Sequence, residues 1–190
     1  MQNFLKIAQL GQPVLRQCSS AVAVENLAGD RALQALGDQL LAVTRAADGV
    51  GLAAPQIGVP LRVIAIASRP NARYPHAPLL PPTLLFNPRL VKTSRDREQD
   101  WEGCLSVPGI RGRVWRHQTI TVAYRDRHGC PQQRELTGFA ARIVQHELDH
   151  LDGILFVDRL VSERDCFTEA EYQQLQKQAA AREPGAASRV

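Results

Sequence analysis

The chain has 190 residues, enough for one domain with its own hydrophobic core. Hydrophobic residues at 44% and charged residues at 22% are the proportions of a globular protein, and aromatics at 5% leave the core to Leu, Ile, Val and Ala. The formal net charge of +4 is mild and the basic residues are scattered, which argues against a dedicated nucleic-acid binder, and no apolar run is long enough to span a membrane.

Residues 1–29 read as irregular, punctuated by Gly11, Pro13 and Gly29. A first helix is expected from about Asp30, a good N-cap, to about Asp48, with Leu33, Leu36, Leu40 and Val43 on one face and Gly49 as its stop. Gly49 to Gly58 reads as an apolar, glycine-rich loop, Leu61 to Ala67 as a buried strand, and the proline-rich stretch 69–82 as a surface loop. Thr83 to Val91 is interrupted by Pro88 and is expected as two short extended pieces, followed by a solvated turn over 92–100. Thr119 to Tyr124 and Gln132 to Leu136 are predicted to pair as a hairpin about Arg127-His128-Gly129. A second helix runs from Thr137 or Gly138 to about Leu151, with Gly153 as its stop and a short apolar extension over 154–157. Thr168-Glu169-Ala170-Glu171 has capping-box spacing and opens a polar helix to about Arg182, and Glu183 to Val190 are expected to fray. Two main helices with short strands between them predict an α+β fold.

The second helix carries His146-Glu147-Leu148-Asp149-His150, an H-E-x-x-H sequence. Histidines four residues apart lie one above the other on a helix and can hold one cation, while the intervening Glu can take a proton from activated water. Ala140, Ala141, Ile143, Val144 and Leu148 surround the motif and imply a buried helix, in which two His and a Glu need partners. A third ligand is then required. Phe156 stands where a downstream His would complete one known pattern, and Glu163, Glu169 and Glu171 lie in a polar tail. Upstream, Cys104 sits in the apolar segment Trp101 to Pro108, where a thiolate beside a cation would be a strong ligand. A small core residue, or a nucleophile paired with His, is the alternative for Cys104; neither accounts for the H-E-x-x-H. The four cysteines make no C-x-x-C pair, which implies a reducing compartment.

Taken together, Gly49-Val-Gly-Leu-Ala-Ala-Pro-Gln56, Glu102-Gly-Cys-Leu-Ser106 and Gln145-His-Glu-Leu-Asp-His150, in this order, resemble the three motifs of the peptide deformylase family. The resemblance covers roughly residues 3–160. It implies a deformylase-like α+β fold, with short antiparallel strands around a central helix that carries the metal motif. A catalytic domain is expected over 1–165, followed by a C-terminal helix and tail over 166–190. The implied reaction is metal-dependent hydrolysis of the N-formyl group from the N-terminal methionine of nascent polypeptides, releasing formate.

The same resemblance assigns roles. Cys104, His146 and His150 hold one divalent ion, commonly Fe2+, and the ligand set is also compatible with Zn2+, Ni2+ or Co2+. Glu147 is the general base and then the acid; the Gln56 side-chain amide and the Leu105 backbone N–H donate to the oxyanion. Val50, Gly51, Gly103 and Arg111 are expected to bind substrate. Val50 and Leu52 shape the methionine pocket, Gly51 lets the peptide approach as an added strand, and Arg111 lies at the cleft mouth. Glu102 resembles a residue behind the ligands that pairs with an arginine such as Arg116. The run Ala141-Arg142-Ile143-Val144-Gln145 is similar to the subgroup found in organelles and as extra copies in bacteria, and Arg142 is expected to alter the methionine pocket. Partners are N-formylmethionyl nascent peptides, with transient ribosome contact and neither membrane nor specific nucleic-acid binding. The start lacks a signal or transit pattern, which favours the bacterial cytoplasm over a mature organellar form.

If Cys104 is the third ligand, Cys104→Ser lowers the metal content of purified protein measured by atomic emission; near-normal content would sink the assignment.

Overall fold

A computed structural model describes residues 6–71 and 73–182, so the expected fraying of 183–190 lies outside the described residues. In chain order the elements are α1 (Arg31–Ala46), β1 (Gly51–Ala53), β2 (Val63–Ile66), β3 (Thr83–Thr93), β4 (Arg97–Cys104), β5 (Val107–His117), β6 (Thr119–Arg125), β7 (Pro131–Thr137), α2 (Gly138–Leu151), β8 (Cys166–Thr168) and α3 (Glu169–Arg182). Helix α1 starts where Asp30 accepts from the N–H groups of Ala32 and Leu33, at 3.0 and 3.1 Å. That cap satisfies donors the helix itself leaves unpaired. Its apolar face is the one the sequence spacing selects, with Leu33, Leu36, Leu40 and Val43 all buried.

The strands form two antiparallel sheets, one ordered β1-β2-β3-β6-β7 and the other β4-β5-β8. Strand alternation divides the first sheet's side chains between two helices. Leu52, Val63, Ala65, Leu84 and Phe86 pack with the apolar face of α1. Ala53, Ile64, Ile66, Leu85, Ile120 and Val122 pack with Ala141, Val144, Leu148 and Leu151 of α2. A strand apolar on both faces cannot alternate, which is why β2 reads as an unbroken apolar run. A third cluster, with Cys104, Val107, Val114, Leu155 and Phe156, sits under the second sheet.

The structure differs from the sequence reading at four places. Thr83 to Thr93 is one strand, not two pieces: the register shifts between Phe86 and Arg89, Asn87 takes φ 49°, and this bulge absorbs the N–H that Pro88 lacks. Asn87 anchors the bulge by bonding both the N–H and the C=O of Val22, each at 2.8 Å. The expected turn over 92–100 shrinks to residues 94–96, because Arg97 to Cys104 is a strand paired with β5. Its charged sequence concealed it: Arg97, Glu98 and Asp100 are exposed while Glu102 and Cys104 point inward. The glycine-rich stretch is not all loop, since Gly51–Ala53 pairs with Ile64–Ile66 at the sheet edge. The buried strand is also shorter than expected, Val63–Ile66 rather than Leu61 to Ala67.

Leu40 is fully buried between α1 and the first sheet. Leu40→Ala is expected to cost about 2–5 kcal/mol in denaturant-induced unfolding, since it leaves a cavity that rigid strands cannot fill.

Candidate active site

Helix α2 brings the H-E-x-x-H residues up against the end of β4. The rings of His146 and His150 lie 5.1 Å apart, centroid to centroid, and the Cys104 sulfur is 3.2 Å from His150 Nε2. One donor atom from each of Cys104, His146 and His150 falls within 4.8 Å of the other two. Phe156, which occupies the position of a downstream His in other H-E-x-x-H proteins, stacks on the His146 ring instead, at 6.2 Å. Of the downstream carboxylates, Glu169 binds Arg111 and Glu171 caps α3 through Thr168. The third donor atom that the structure brings to the two histidines is that of the upstream cysteine.

Burial disfavours a charge on Cys104, but His150 and His146 beside it hold its thiol well below the ordinary value. Such a thiolate, with two imidazoles, is a donor set suited to a divalent transition-metal ion. The site also holds Glu147, which is 4% exposed and whose Oε2 has no hydrogen-bond partner among the described residues. Burial pushes the Glu147 carboxyl up to about 7. A buried carboxyl with an unpartnered oxygen beside three converging donors fits a group that exchanges a proton there.

Behind the donors lies a buried ion network. Glu102 Oε1 accepts from Arg116 Nε at 2.9 Å and from Arg142 Nη1 at 3.0 Å. Glu102 Oε2 accepts from Arg116 Nη2 at 3.0 Å and from His146 Nδ1 at 2.8 Å. Burial opposes the Glu102 charge, yet the His146 hydrogen bond and the Arg116 guanidinium hold its carboxyl well below the usual range. With Nδ1–H committed to Glu102, His146 has Nε2 left for a ligand. Asp149 extends the network, taking Arg116 Nη1 at 2.6 Å and Arg159 Nη2 at 2.7 Å.

Gln56 is 2% exposed and its amide can point only one way. Its Oε1 accepts from the Ala53 N–H at 2.8 Å, so its NH2 faces Ser106 Oγ at 3.1 Å and the Cys104 sulfur at 3.5 Å. A cavity in front of these groups is lined by Val50, Gly51, Gln56, Gly103, Leu105 and Glu147, among others. A side chain at Gly51 would force a shift: a Cβ there would stand 2.6 Å from Glu147 Oε1 and 2.9 Å from Ile143. The close approach at Gly51 is thus first of all that of helix α2.

Three expectations about the cleft change. Leu52 faces the α1 core and not the methionine pocket, because it sits on the opposite face of β1 from Gly51. Arg111 is 1% exposed and bonded to Glu169, so its guanidinium is not free at the cleft mouth. Arg142 does line the cavity, but its guanidinium turns away to Glu102 and to the carbonyls of Val114 and Glu98, at 2.8 and 2.9 Å. It fastens α2 to the β4–β5 hairpin. Sequence reasoning passed over Tyr74 and Trp101, which also line the cavity. Two isolated aromatics in an aromatic-poor chain were the available signal.

The family model for polypeptide deformylase matches residues 4–165. The chain belongs to the polypeptide deformylase family. Peptide deformylase 2 of Nostoc sp. is 54% identical over 91% of this chain and 95% of its own length. Peptide deformylase 1 of Prochlorococcus marinus is 48% identical over 82% of this chain and 80% of its own. Among solved structures, class I type b peptide deformylase from Acinetobacter baumannii, with Met-Ala-Ser bound, matches with a TM-score of 0.80 at 41% identity. That match covers 84% of this chain and 100% of the other. A peptide deformylase from Synechococcus elongatus in complex with actinonin matches with a TM-score of 0.75 at 37% identity, over 94% and 88% of the two chains. The reaction of this deformylase is removal of the N-formyl group from nascent peptides. Among the described residues no helix is long and apolar enough to cross a membrane.

Because Glu102 orients His146, Glu102→Gln is expected to weaken metal binding by about 10–100-fold in a chelator competition. Unchanged affinity would show that the network does not orient the ligand.

Proposed function

We propose that Cys104, His146 and His150 hold one divalent cation, Fe2+ first among those the donor set accepts, and that Glu147 moves the proton during hydrolysis. One observation carries this reading: the unpartnered, buried Oε2 of Glu147 beside three donor atoms within 4.8 Å of one another. When bound, the cation supplies Lewis acidity, polarising a carbonyl and acidifying water. Zn2+, Ni2+ and Co2+ suit the same thiolate and imidazoles.

The chain's own residues do the rest. In the overall reaction the oxygen of water forms a bond to the formyl carbon, the C–N bond breaks, and formate and a free amine leave. With a carboxyl near 7, Glu147 can accept the water's proton and return it to the departing amine. The Gln56 NH2 is held toward Ser106 Oγ and the Cys104 sulfur at the wall of the cavity, and it and the Leu105 backbone N–H are the two donors for the oxyanion. Losing one such donor costs about 10²–10³ in turnover. Val50, Phe139 and Ile143 offer an apolar lining for the methionine side chain. The edge position of β1 lets the peptide backbone add alongside Gly51, with Gly103 of β4 lining the same cavity. The proposed enzyme is cytoplasmic, in keeping with its bacterial relatives, and meets its substrate on translating ribosomes through transient contact.

The deciding assay is formate release from formyl-Met-Ala-Ser by anaerobically purified protein. Glu147→Ala is expected to keep its metal and lose about 10²–10⁴ in turnover. Silence from fully metal-loaded wild type would overturn the reading, and metal loss in the variant would recast Glu147 as structural. Gly51→Ala, which pushes Glu147 aside, is expected to lower kcat by about 10²-fold with metal retained. An unaffected kcat would show that Glu147 tolerates displacement.

A further inference from the structure

The hairpin wall of the cleft carries a charge arrangement that deformylation does not use. Arg111 of β5 is buried with its guanidinium between two rings, 5.3 Å from the centroid of Tyr74 and 4.8 Å from that of Tyr172. Its Nε and Nη2 donate to the two oxygens of Glu169 at 2.7 and 3.3 Å. Its Nη1 has no partner among the described residues and lies against Gly103, 2.8 Å from where a Cβ would stand. Gly103 and Tyr74 both line the catalytic cavity.

Glu169 reaches this place because the chain beyond the family match is built onto the wall. β8 adds to β5, with Phe167 opposite Arg111. Phe167 and Tyr172 each meet the Trp101 ring nearly edge-on, with centroids 4.9 Å apart. A second depression, floored by Pro108, Gly109 and Ile110, shares Arg73, Cys104 and Leu105 with the catalytic cavity and has Glu169 on its rim. A peptide that leaves the catalytic cavity past Leu105 would enter this depression, where Arg73 and Glu169 are the charged lining residues. Arg73 and Glu169 line this depression and the buried Arg111 is paired with Glu169, so these three side chains sum to +1, which becomes +2 without the carboxylate.

We propose that Glu169 is a specificity residue, which cancels Arg111 and faces Arg73 so that the groove receiving the residues after formyl-methionine does not select acidic chains. This rests on the deformylase reading above. Glu169 would then fix charge preference without touching the formyl group. A Glu169 that only propped the wall would affect every peptide alike.

The test compares kcat/KM for formyl-Met-Asp-Asp and formyl-Met-Lys-Lys at low ionic strength. In E169Q the acidic-to-basic ratio is expected to rise about fivefold, the effect of one unit charge on another a few ångströms away in a solvated groove. The change should sit in KM rather than kcat, and shrink as salt is added. An unchanged ratio, or an equal loss on both peptides, overturns the proposal. R73Q gives the opposite sign in a chain whose C-terminal segment is intact: the ratio is expected to fall about fivefold. If it does not fall, the groove does not carry the peptide and the proposal fails. If wild type turned over neither peptide, the deformylase reading would fall and this with it. Wild-type turnover with no ratio change in either variant would overturn the charge role alone.

Discussion

A buried carboxylate is stable only where cations and hydrogen-bond donors surround it, and Glu102 decides much of this molecule's interior for that reason. Its two oxygens are shared among Arg116, Arg142 and His146, which come from β5 and α2, while Glu102 itself comes from β4. Breaking such a set by deleting one member typically costs about 3–5 kcal/mol, because a charge is left unpaired. What the network confers is geometry. It fixes the angle between α2 and the hairpin, and it fixes which nitrogen of His146 remains for a ligand. Asp149 does the same one turn further along α2, through Arg116 and Arg159.

The two sheets have different tasks around this network. The first, covered by α1 and α2, is a rigid apolar body whose edge strand β1 carries Gly51 under Glu147. The second is a long hairpin that delivers Cys104 at the end of one strand. The catalytic cavity is the seam between them. Small residues are needed where the two bodies come closest, which is why Gly51 meets Glu147 and Ile143, and Gly103 meets the Arg111 guanidinium. The C-terminal segment belongs to this construction through β8 and the aromatic contacts of Trp101, although the family match stops before it.

Much of the donor set was legible in the sequence because it depends on local spacing. An i, i+4 pair on a helix must share a face, and the Asp30 cap, the α1 apolar stripe and the β6–β7 hairpin follow from equally short-range rules. What stayed hidden depends on partners far along the chain. The first half of strand β4 looked like a solvated turn because its charged side chains are exposed, and only pairing with Val114 to His117 of β5, further along the chain, makes it a strand. Arg142 looked like a modifier of the methionine pocket because nothing nearby in sequence shows that Glu102 and the carbonyls of Glu98 and Val114 would capture it. Arg111 looked free for the same reason, since Glu169 lies 58 residues away.

By itself, then, the sequence determined the helix that carries the metal motif and the residue types available for metal and proton chemistry, because these are properties of local periodicity and composition, while the family was legible in the resemblance of three short motifs. Only the tertiary structure decided which carboxylate serves which cation, that Leu52 turns from the cleft while Gly51 faces it, and that the tail builds part of the cleft wall. Those outcomes follow from pairing across strands and from the desolvation of charges. Both act between residues that the chain keeps far apart until it folds.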